Sequence, residues 1–420
     1  MVSEDIRSSD ISRITEVEDA VRVLTGALDP VIGNDVVSLK DATGRILAED
    51  IVAGMSVPSF PKSAMDGYAV RSSDISDASE DTPVRLKVIG CITAGDKIPA
   101  DIRDRMDHER CAVRIMTGAA VPDGFDTVIK QEDTDFGEDE VQIFKSQLPF
   151  VNYCKVGEDI LEGRLIVPSG TRIGRAEAGV IASVGIPEVK VLRKIRISII
   201  STGSEITDVG QPLEESKIYN NIAYLLMASL NKPPFETVYC CVPDDTDRIT
   251  EAINIAKQTS DIIITTGGVS VGQKDLIPEA IVKAGAVKLF SGLNIKPGSP
   301  TIGAVIDGKA LLCLSGNPFA ATANFDLYAG NIIASITGCA SYVPVREKAV
   351  LQNEFNKPSN VRRLIRANVN SGKVTIHSKA LASSILRSYL GANCYVDIPR
   401  GSDIHAGDEV DIIRISEALL

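Results

Sequence analysis

The residues best placed to do chemistry form a run of small and hydroxyl side chains, Thr266-Gly267-Gly268-Val269-Ser270-Val271-Gly272, directly after the β-type stretch 261–265. Glycine lets backbone N–H groups close on an oxyanion, and a helix starting just beyond adds its dipole. The run therefore predicts a cradle for an anionic, phosphate-bearing small molecule. Two other strand ends carry similar residues: Ser201-Thr202-Gly203-Ser204 after 195–200, and Ser315-Gly316-Asn317-Pro318 after 310–314. One such turn is an ordinary βα connection. Right-handed parallel topology puts all three at the same sheet edge, and three together predict a site. Gly267 and Gly272 have the spacing of a Walker A loop, but Gln273 stands where lysine is needed. Nor is the spacing Gly-x-Gly-x-x-Gly, so nucleotide hydrolase and dinucleotide readings both fail. Asp275, before Leu276-Ile277-Pro278, reads equally as a helix cap or, beside phosphate, as a Mg²⁺ ligand.

Two further constellations lie upstream. Asp66-Gly67 reads as a turn feeding the strand 68–70, and Thr117-Gly118 closes the run Arg114-Ile115-Met116. Turn chemistry alone explains both, so the residue types do not separate structure from function here.

The elements that must position these groups follow from periodicity. Val17, Ala20, Val21, Val23 and Leu24 predict an amphipathic helix over 16–28. Short β-type runs at 84–89, 112–116, 127–131 and 141–144 predict a small all-β domain. Residues 150–187 are loop and helix, with Glu177 in the first turn of a helix at 176–184. From 195 to 336 strands alternate with helices, which implies a central parallel sheet. The runs at 373–376, 394–398 and 409–413 predict a separate β-rich C-terminal domain. The fold class is α/β plus β, multidomain.

Composition bounds the partners. With 420 residues there is room for two to four domains of roughly 100–200 residues each. A net charge of −12 without a Lys/Arg cluster argues against nucleic acid. Eight cysteines without a Cys-x-x-Cys pair, and three histidines, argue against zinc and against a disulfide framework. The cysteines read as small, mostly buried hydrophobes, with Cys240-Cys241 in a buried strand at 238–242. The polar start, and the lack of any apolar run near ~18 residues, predict a soluble cytoplasmic protein without a membrane span.

Seven segments, in order along nearly the whole chain, resemble the molybdopterin molybdenumtransferase family (MoeA and the E domain of gephyrin). They are Ser63-Ala64-Met65-Asp66-Gly67-Tyr68-Ala69-Val70, Arg114-Ile115-Met116-Thr117-Gly118-Ala119, Val156-Gly157-Glu158-Asp159-Ile160, Ser201-Thr202-Gly203, Gly267-Gly268-Val269-Ser270-Val271-Gly272, Ile295-Lys296-Pro297-Gly298 and Gly316-Asn317-Pro318. The resemblance implies a discontinuous first domain (1–53 and 150–187), an inserted β domain (54–149), a molybdopterin-binding α/β domain (188–338) and a C-terminal β domain (343–420). It implies a homodimer with shared clefts, and a reaction in which adenylylated molybdopterin and molybdate (or tungstate) react with Mg²⁺, releasing AMP. A molybdopterin adenylyltransferase is the implied partner.

Carried onto this sequence, the family's catalytic positions are Asp66, Thr117, Asp159, Glu177, Asp275 and Lys296. Its substrate-holding positions are Ser201, Thr202, Gly203, Gly267, Gly268, Ser270, Val271, Gly272, Pro297, Gly298, Gly316, Asn317, Pro318 and Ser384, and its metal positions Asp275 and Glu205. Arg362 and Arg363 sit near the family's C-terminal oxyanion contacts. Four positions depart from the pattern: Ser204 and Asn220 each lack a carboxylate, Ser299 replaces a lysine and Ser315 a proline. These departures bear on metal-dependent cleavage more than on binding. They motivate a rival reading, a non-catalytic molybdopterin carrier; a receptor-clustering scaffold ranks last.

Overall fold

The computed structural model describes residues 15–106, 110–269, 276–377 and 385–415. The chain divides into two compact units, residues 1–49, 169–175 and 188–420 in one, and 50–168 and 176–187 in the other. In the first, helix α1 (Val17–Thr25) buries Val17, Ala20 and Leu24. It stops short of residue 28 because the chain leaves the helix at Gly26, four residues before Pro30.

The second unit is built on five strands: β1 (Gly67–Val70), β2 (Val84–Ile92), β3 (Cys111–Ile115), β4 (Thr127–Lys130) and β5 (Glu140–Ile143). Their order is β4-β1-β3-β2-β5. All pairs are antiparallel except β2–β3. That parallel pair needs a crossover, and helix α2 (Ala100–Met106) lies in it. The domain is therefore not all-β as the sequence suggested. The helix buries Ile102 against Ile89 and Ile92, and its seven residues are too short a run to show a helical stripe. Gly67 is fixed by a close approach, since a Cβ there would stand 1.8 Å from the Ile129 carbonyl oxygen. Helix α3 (Arg175–Ser183) buries Ile181 and carries Glu177 in its first turn.

The first unit holds two six-stranded sheets, beside two-stranded pairings of Asn34–Ser38 with Glu188–Leu192 and of Ile206–Thr207 with Ile218–Tyr219. One contains β6 (Ile195–Thr202), β7 (Phe235–Val242), β8 (Ile262–Thr266), β9 (Val287–Ser291), β11 (Ile302–Ile306) and β12 (Lys309–Leu314), with β10 (Ile295–Lys296) leaving it for the other. The order is β7-β6-β8-β12-β11-β9. Strands β7, β6, β8 and β12 are parallel as expected, but β11 and β9 run antiparallel, so the sheet is mixed. The cause is local: Asp307 and Gly308 both take positive φ, 49° and 73°, in a two-residue hairpin that returns the chain at once. Helices α4 (Asn221–Leu230), α5 (Thr246–Thr259), α6 (Ile277–Lys283) and α7 (Pro318–Thr337) complete the layers. Ile197 and Ile199 share a core with Phe325 and Ile332 of α7, while Ile200 faces Ile253 of α5 and Ile281 of α6. This alternation is what a strand covered on both faces requires.

Strand β7 is an edge strand, and there a sequence expectation fails. Cys240 and Cys241 are exposed rather than buried, as is Cys91; four of the eight cysteines are buried. A continuous apolar run cannot tell an edge from a centre, because burial is set by neighbours far along the chain.

The second sheet uses β13 (Arg346–Leu351), β14 (Arg362–Asn370), β15 (Lys373–Ile376), β16 (Cys394–Ile398) and β17 (Glu409–Arg414). The order β10-β14-β15-β13-β17-β16, with β14 also paired to β16, closes it into a small barrel with β10 added alongside β14. No helix among the described residues is long and apolar enough to cross a membrane.

Candidate active site

The three glycine-bearing strand ends meet. Thr266 Oγ1 donates to Ser201 Oγ at 3.0 Å, and Thr202 Oγ1 donates to the Thr266 carbonyl at 3.3 Å. Gly267 N–H donates to the Leu314 carbonyl at 3.1 Å, which ties the second loop to the third. Gly267 takes φ +95°, and a Cβ on it would stand 2.3 Å from the Thr202 carbonyl oxygen, so only glycine fits. Gly203 and Gly268 also take positive φ, and Gly316 packs beside the Gly267 Cα. Asn317 and Pro318 start α7: Asn317 Oδ1 accepts from the N–H groups of Phe319 (3.1 Å) and Ala320 (3.2 Å), with proline in the first turn. Ser270, Val271, Gly272, Asp275 and Ser384 lie outside the described residues. Helix α6 opens after Leu276, which supplies no side-chain cap.

Beside the cradle, Ser204 donates through both its N–H (2.9 Å) and its hydroxyl (3.1 Å) to Asp244 Oδ2. A carboxylate from the loop after β7 thus stands against the serine that interrupts the family's acidic run. Asn220, the other lost acid, caps α4 through Ala223 N–H and donates to Tyr239 Oη, which reaches Asp208. Glu205 is exposed. Burial pushes the Cys241 thiol up, and Asp208, Glu205 and Asp244 push it the same way, so these three carboxylates share one neighbourhood. Among the described residues no three His, Cys, Asp or Glu side chains are already arranged as a metal cage.

Lys296 is exposed at the end of β10, held in register with Arg363 of β14. The following Pro297-Gly298 turn is anchored from α7, where buried Asn324 donates Nδ2 to the Gly298 carbonyl at 2.8 Å. Ser299 is used locally, its hydroxyl donating to the Leu293 carbonyl.

In the second unit Asp66 Oδ1 accepts from the Thr117 N–H and from the Thr117 hydroxyl, each at 2.7 Å. These two bonds hold the Asp66 carboxyl below the usual carboxylate range. Asp66 and Thr117, two separate constellations in the sequence, are thus in direct contact. Asp159 sits exposed in a loop pinned by its N–H to the Val57 carbonyl, and Glu177 is half-buried at the start of α3.

Three family models cover the chain in order: the MoeA N-terminal region (domain I and II) over residues 15–185, a probable molybdopterin binding domain over 198–334, and the MoeA C-terminal region (domain IV) over 348–415. A molybdopterin molybdenumtransferase of Staphylococcus aureus (strain MSSA476) is 38% identical over 384 residues, 90% of each chain. The chain belongs to the molybdopterin molybdenumtransferase family. The family's Staphylococcus epidermidis member is 35% identical across 91% of each chain. A crystal structure of the molybdopterin biosynthesis moeA protein from Pyrococcus horikoshii OT3 matches with a TM-score of 0.80 and 29% identity, over 96% of this chain and 100% of that one. Membership makes this an enzyme of molybdenum cofactor biosynthesis, with molybdopterin as the family's substrate.

Two residues beside the candidate site escape a linear reading. Asp244 sits next to the α5 cap Asp245, where a second acid reads as capping chemistry; its partner lies 40 residues upstream. Arg366 is the other. Arg362, the sequence candidate, is engaged: its guanidinium forks onto Asp397 at 2.7 and 2.5 Å and reaches Glu18 at 2.8 Å. Arg363 donates to the Lys357 carbonyl. Arg366 is fully buried, yet among the described residues its Nε and Nη1 have no partner. Its Cζ lies 3.8 Å from the Phe319 ring centre and 5.2 Å from that of Tyr389. Strand alternation was the available signal, since Arg366 shares the face of Leu364, which packs toward Phe319, while Ile365 and Ala367 fill the barrel.

Proposed function

We propose that the protein inserts molybdate (or tungstate) into adenylylated molybdopterin, with Mg²⁺-dependent release of AMP. The convergence of three glycine- and hydroxyl-bearing strand ends into one cradle carries this reading: it offers neutral donors to phosphate without a Walker lysine. Water attacks the adenylyl phosphorus, the anhydride bond breaks and AMP leaves; the molybdopterin dithiol then bonds the metal of molybdate through both sulfurs, its two protons departing with one oxide as water. The resemblance to the family assigns the orienting of the attacking water to Asp66, its carboxylate fixed by Thr117, and to Asp159 and Glu177 as oxygen bases. Glu205 and Asp244 are the described oxygen ligands that suit Mg²⁺, together with Asp275. A Mg²⁺ ion keeps several waters and leans on substrate phosphates, so a few carboxylates suffice. Bound there, it would neutralise charge on the phosphate oxygens.

Lys296 supplies a point charge to the incoming oxyanion. Arg366 is added as its second cation, since buried N–H donors without partners carry a penalty that an anion removes. Ser201, Thr202, Gly203, Gly267, Gly268, Pro297, Gly298, Gly316, Asn317 and Pro318 shape the pocket, with Ser270, Val271, Gly272 and Ser384 retained from the resemblance. The working unit proposed is a cytoplasmic homodimer of four-region subunits, supplied by a molybdopterin adenylyltransferase.

The decisive experiment mixes purified protein with adenylylated molybdopterin, Mg²⁺ and molybdate and follows AMP. Release supports the reading; tight binding without release establishes the carrier instead. The local engagement of Asn220 and Ser299 favours the carrier, and the return of a carboxylate at Ser204 through Asp244 opposes it.

A further inference from the structure

Arg362 and Arg366 lie on the same face of β14, four residues apart, and the protein treats them in opposite ways. Arg362 is neutralised by a carboxylate fork from Asp397 of β16. Near Arg366 there is also a buried carboxylate, Asp326 of α7, but it makes no bond to the guanidinium. Its Oδ2 instead accepts from Tyr395 Oη at 2.6 Å and from Tyr389 Oη at 3.1 Å, and the two hydroxyls stand 2.7 Å apart. The rings of these tyrosines then build the seat of Arg366. Its guanidinium rests over Phe319 and Tyr389, and Tyr395 stacks on Phe319 with planes 12° apart. Ring faces hold a cation without using its N–H groups, whereas a carboxylate fork consumes them.

We infer that Asp326, Tyr389 and Tyr395 form a positioning set that holds Arg366 by aromatic faces and so keeps its Nε and Nη1 donors unspent for the oxyanion. This rests on the reading above that Arg366 receives molybdate. Asp326 supplies the fixed point: it is 7% exposed and its Oδ2 accepts from both hydroxyls. Burial holds its carboxyl up at about 6, so it is ionised, and a full acceptor for both phenols, at neutral pH and above. None of the three residues touches the oxyanion itself. They act through Arg366.

The test uses the full-length protein in two assays at pH 8. In the first, molybdate is titrated calorimetrically into wild type, Arg366→Lys, Asp326→Asn, Tyr389→Phe and Tyr389→Leu. In the second, turnover is followed against molybdate at saturating adenylylated molybdopterin, and the reverse. The expected result is molybdate affinity weakened about tenfold in Asp326→Asn and in Tyr389→Leu, the size of one desolvated cation–π contact, and less in Tyr389→Phe, which keeps the ring. The KM for molybdate rises in parallel, while kcat and the KM for adenylylated molybdopterin stay put. If Arg366→Lys weakens molybdate binding and Asp326→Asn does not, the positioning role is overturned. Equal rises in both KM values would mark a merely structural role and overturn it too. If Arg366→Lys itself leaves binding unchanged, or wild type binds no molybdate, the reading of Arg366 falls first and the inference with it.

Discussion

Replacing Gly267 by alanine puts a methyl group 2.3 Å from the Thr202 carbonyl oxygen, on a backbone whose φ is +95°. Two costs follow. A non-glycine residue in the left-handed region loses roughly 1–2 kcal/mol. The contact is with main chain, not with a side chain that can swing away, so strand ends must shift, at about 1–3 kcal/mol for overpacking. Against these stands a gain of about 0.4–1 kcal/mol from the stiffer unfolded chain. The net loss is about 3 kcal/mol. Gly316→Ala is the matched control, because its Cβ would meet the Gly267 Cα at 3.5 Å, an ordinary contact, and its φ is not positive. It should cost less than about 1 kcal/mol. Urea unfolding followed by circular dichroism gives both values, and molybdopterin binding to each variant tests the cradle. Gly267→Ala should unfold at clearly lower urea and bind poorly; Gly316→Ala should unfold with wild type. Equal midpoints, or the reverse order, would refute the argument that the loops are locked at Gly267.

Three other outcomes are expected. Thr117→Ala removes the hydroxyl that helps hold the Asp66 carboxyl low, so NMR titration should find the Asp66 pKa moved up toward the ordinary range, with the acid limb of turnover following; an unmoved pKa would contradict the bond. Asp244→Asn should lower AMP release at least tenfold and raise the Mg²⁺ requirement while molybdopterin binding persists; unchanged Mg²⁺ dependence would remove Asp244 from the metal's surroundings. The buried Asp326 carboxyl, raised to about 6 against ~3.9 in an unfolded chain, contributes stability that is full below about pH 4 and is lost as pH rises through about 6. The difference in unfolding free energy between wild type and Asp326→Asn should therefore shift by roughly 3 kcal/mol across that window, and a flat difference would falsify the raised value.

What could be read along the chain was whatever is local. The cradle was legible because Gly267, Gly268 and the hydroxyls of Ser201, Thr202 and Thr266 each announce a strand end by residue type. The hairpin at Asp307-Gly308 was equally legible, since Asp-Gly between two apolar runs is a reversal signal; reading only the strand at 310–314 turned a mixed sheet into a parallel one. Other features depend on partners far away. The exposure of Cys240 follows from β7 having a neighbour on one side alone, and the pairing of Ser204 with Asp244 spans two loops. Arg366 could be separated from Arg362 only when Asp397 and Asp326 were seen to serve different donors.

The two-residue strand β10 carries a consequence of its own. Ile295 and Lys296 leave the α/β layers and lie along β14, outside the closed ring of the barrel. The lysine is thereby suspended between two folding territories: its chain comes from the one proposed to hold phosphate, its backbone bonds from the one that holds Arg366. A polypeptide ending after α7 should keep a cradle and lose the lysine's mooring. On the proposed reading, grip on the pterin's phosphate and capture of the metal oxyanion become separable by where the chain stops, with β10 as the seam between them.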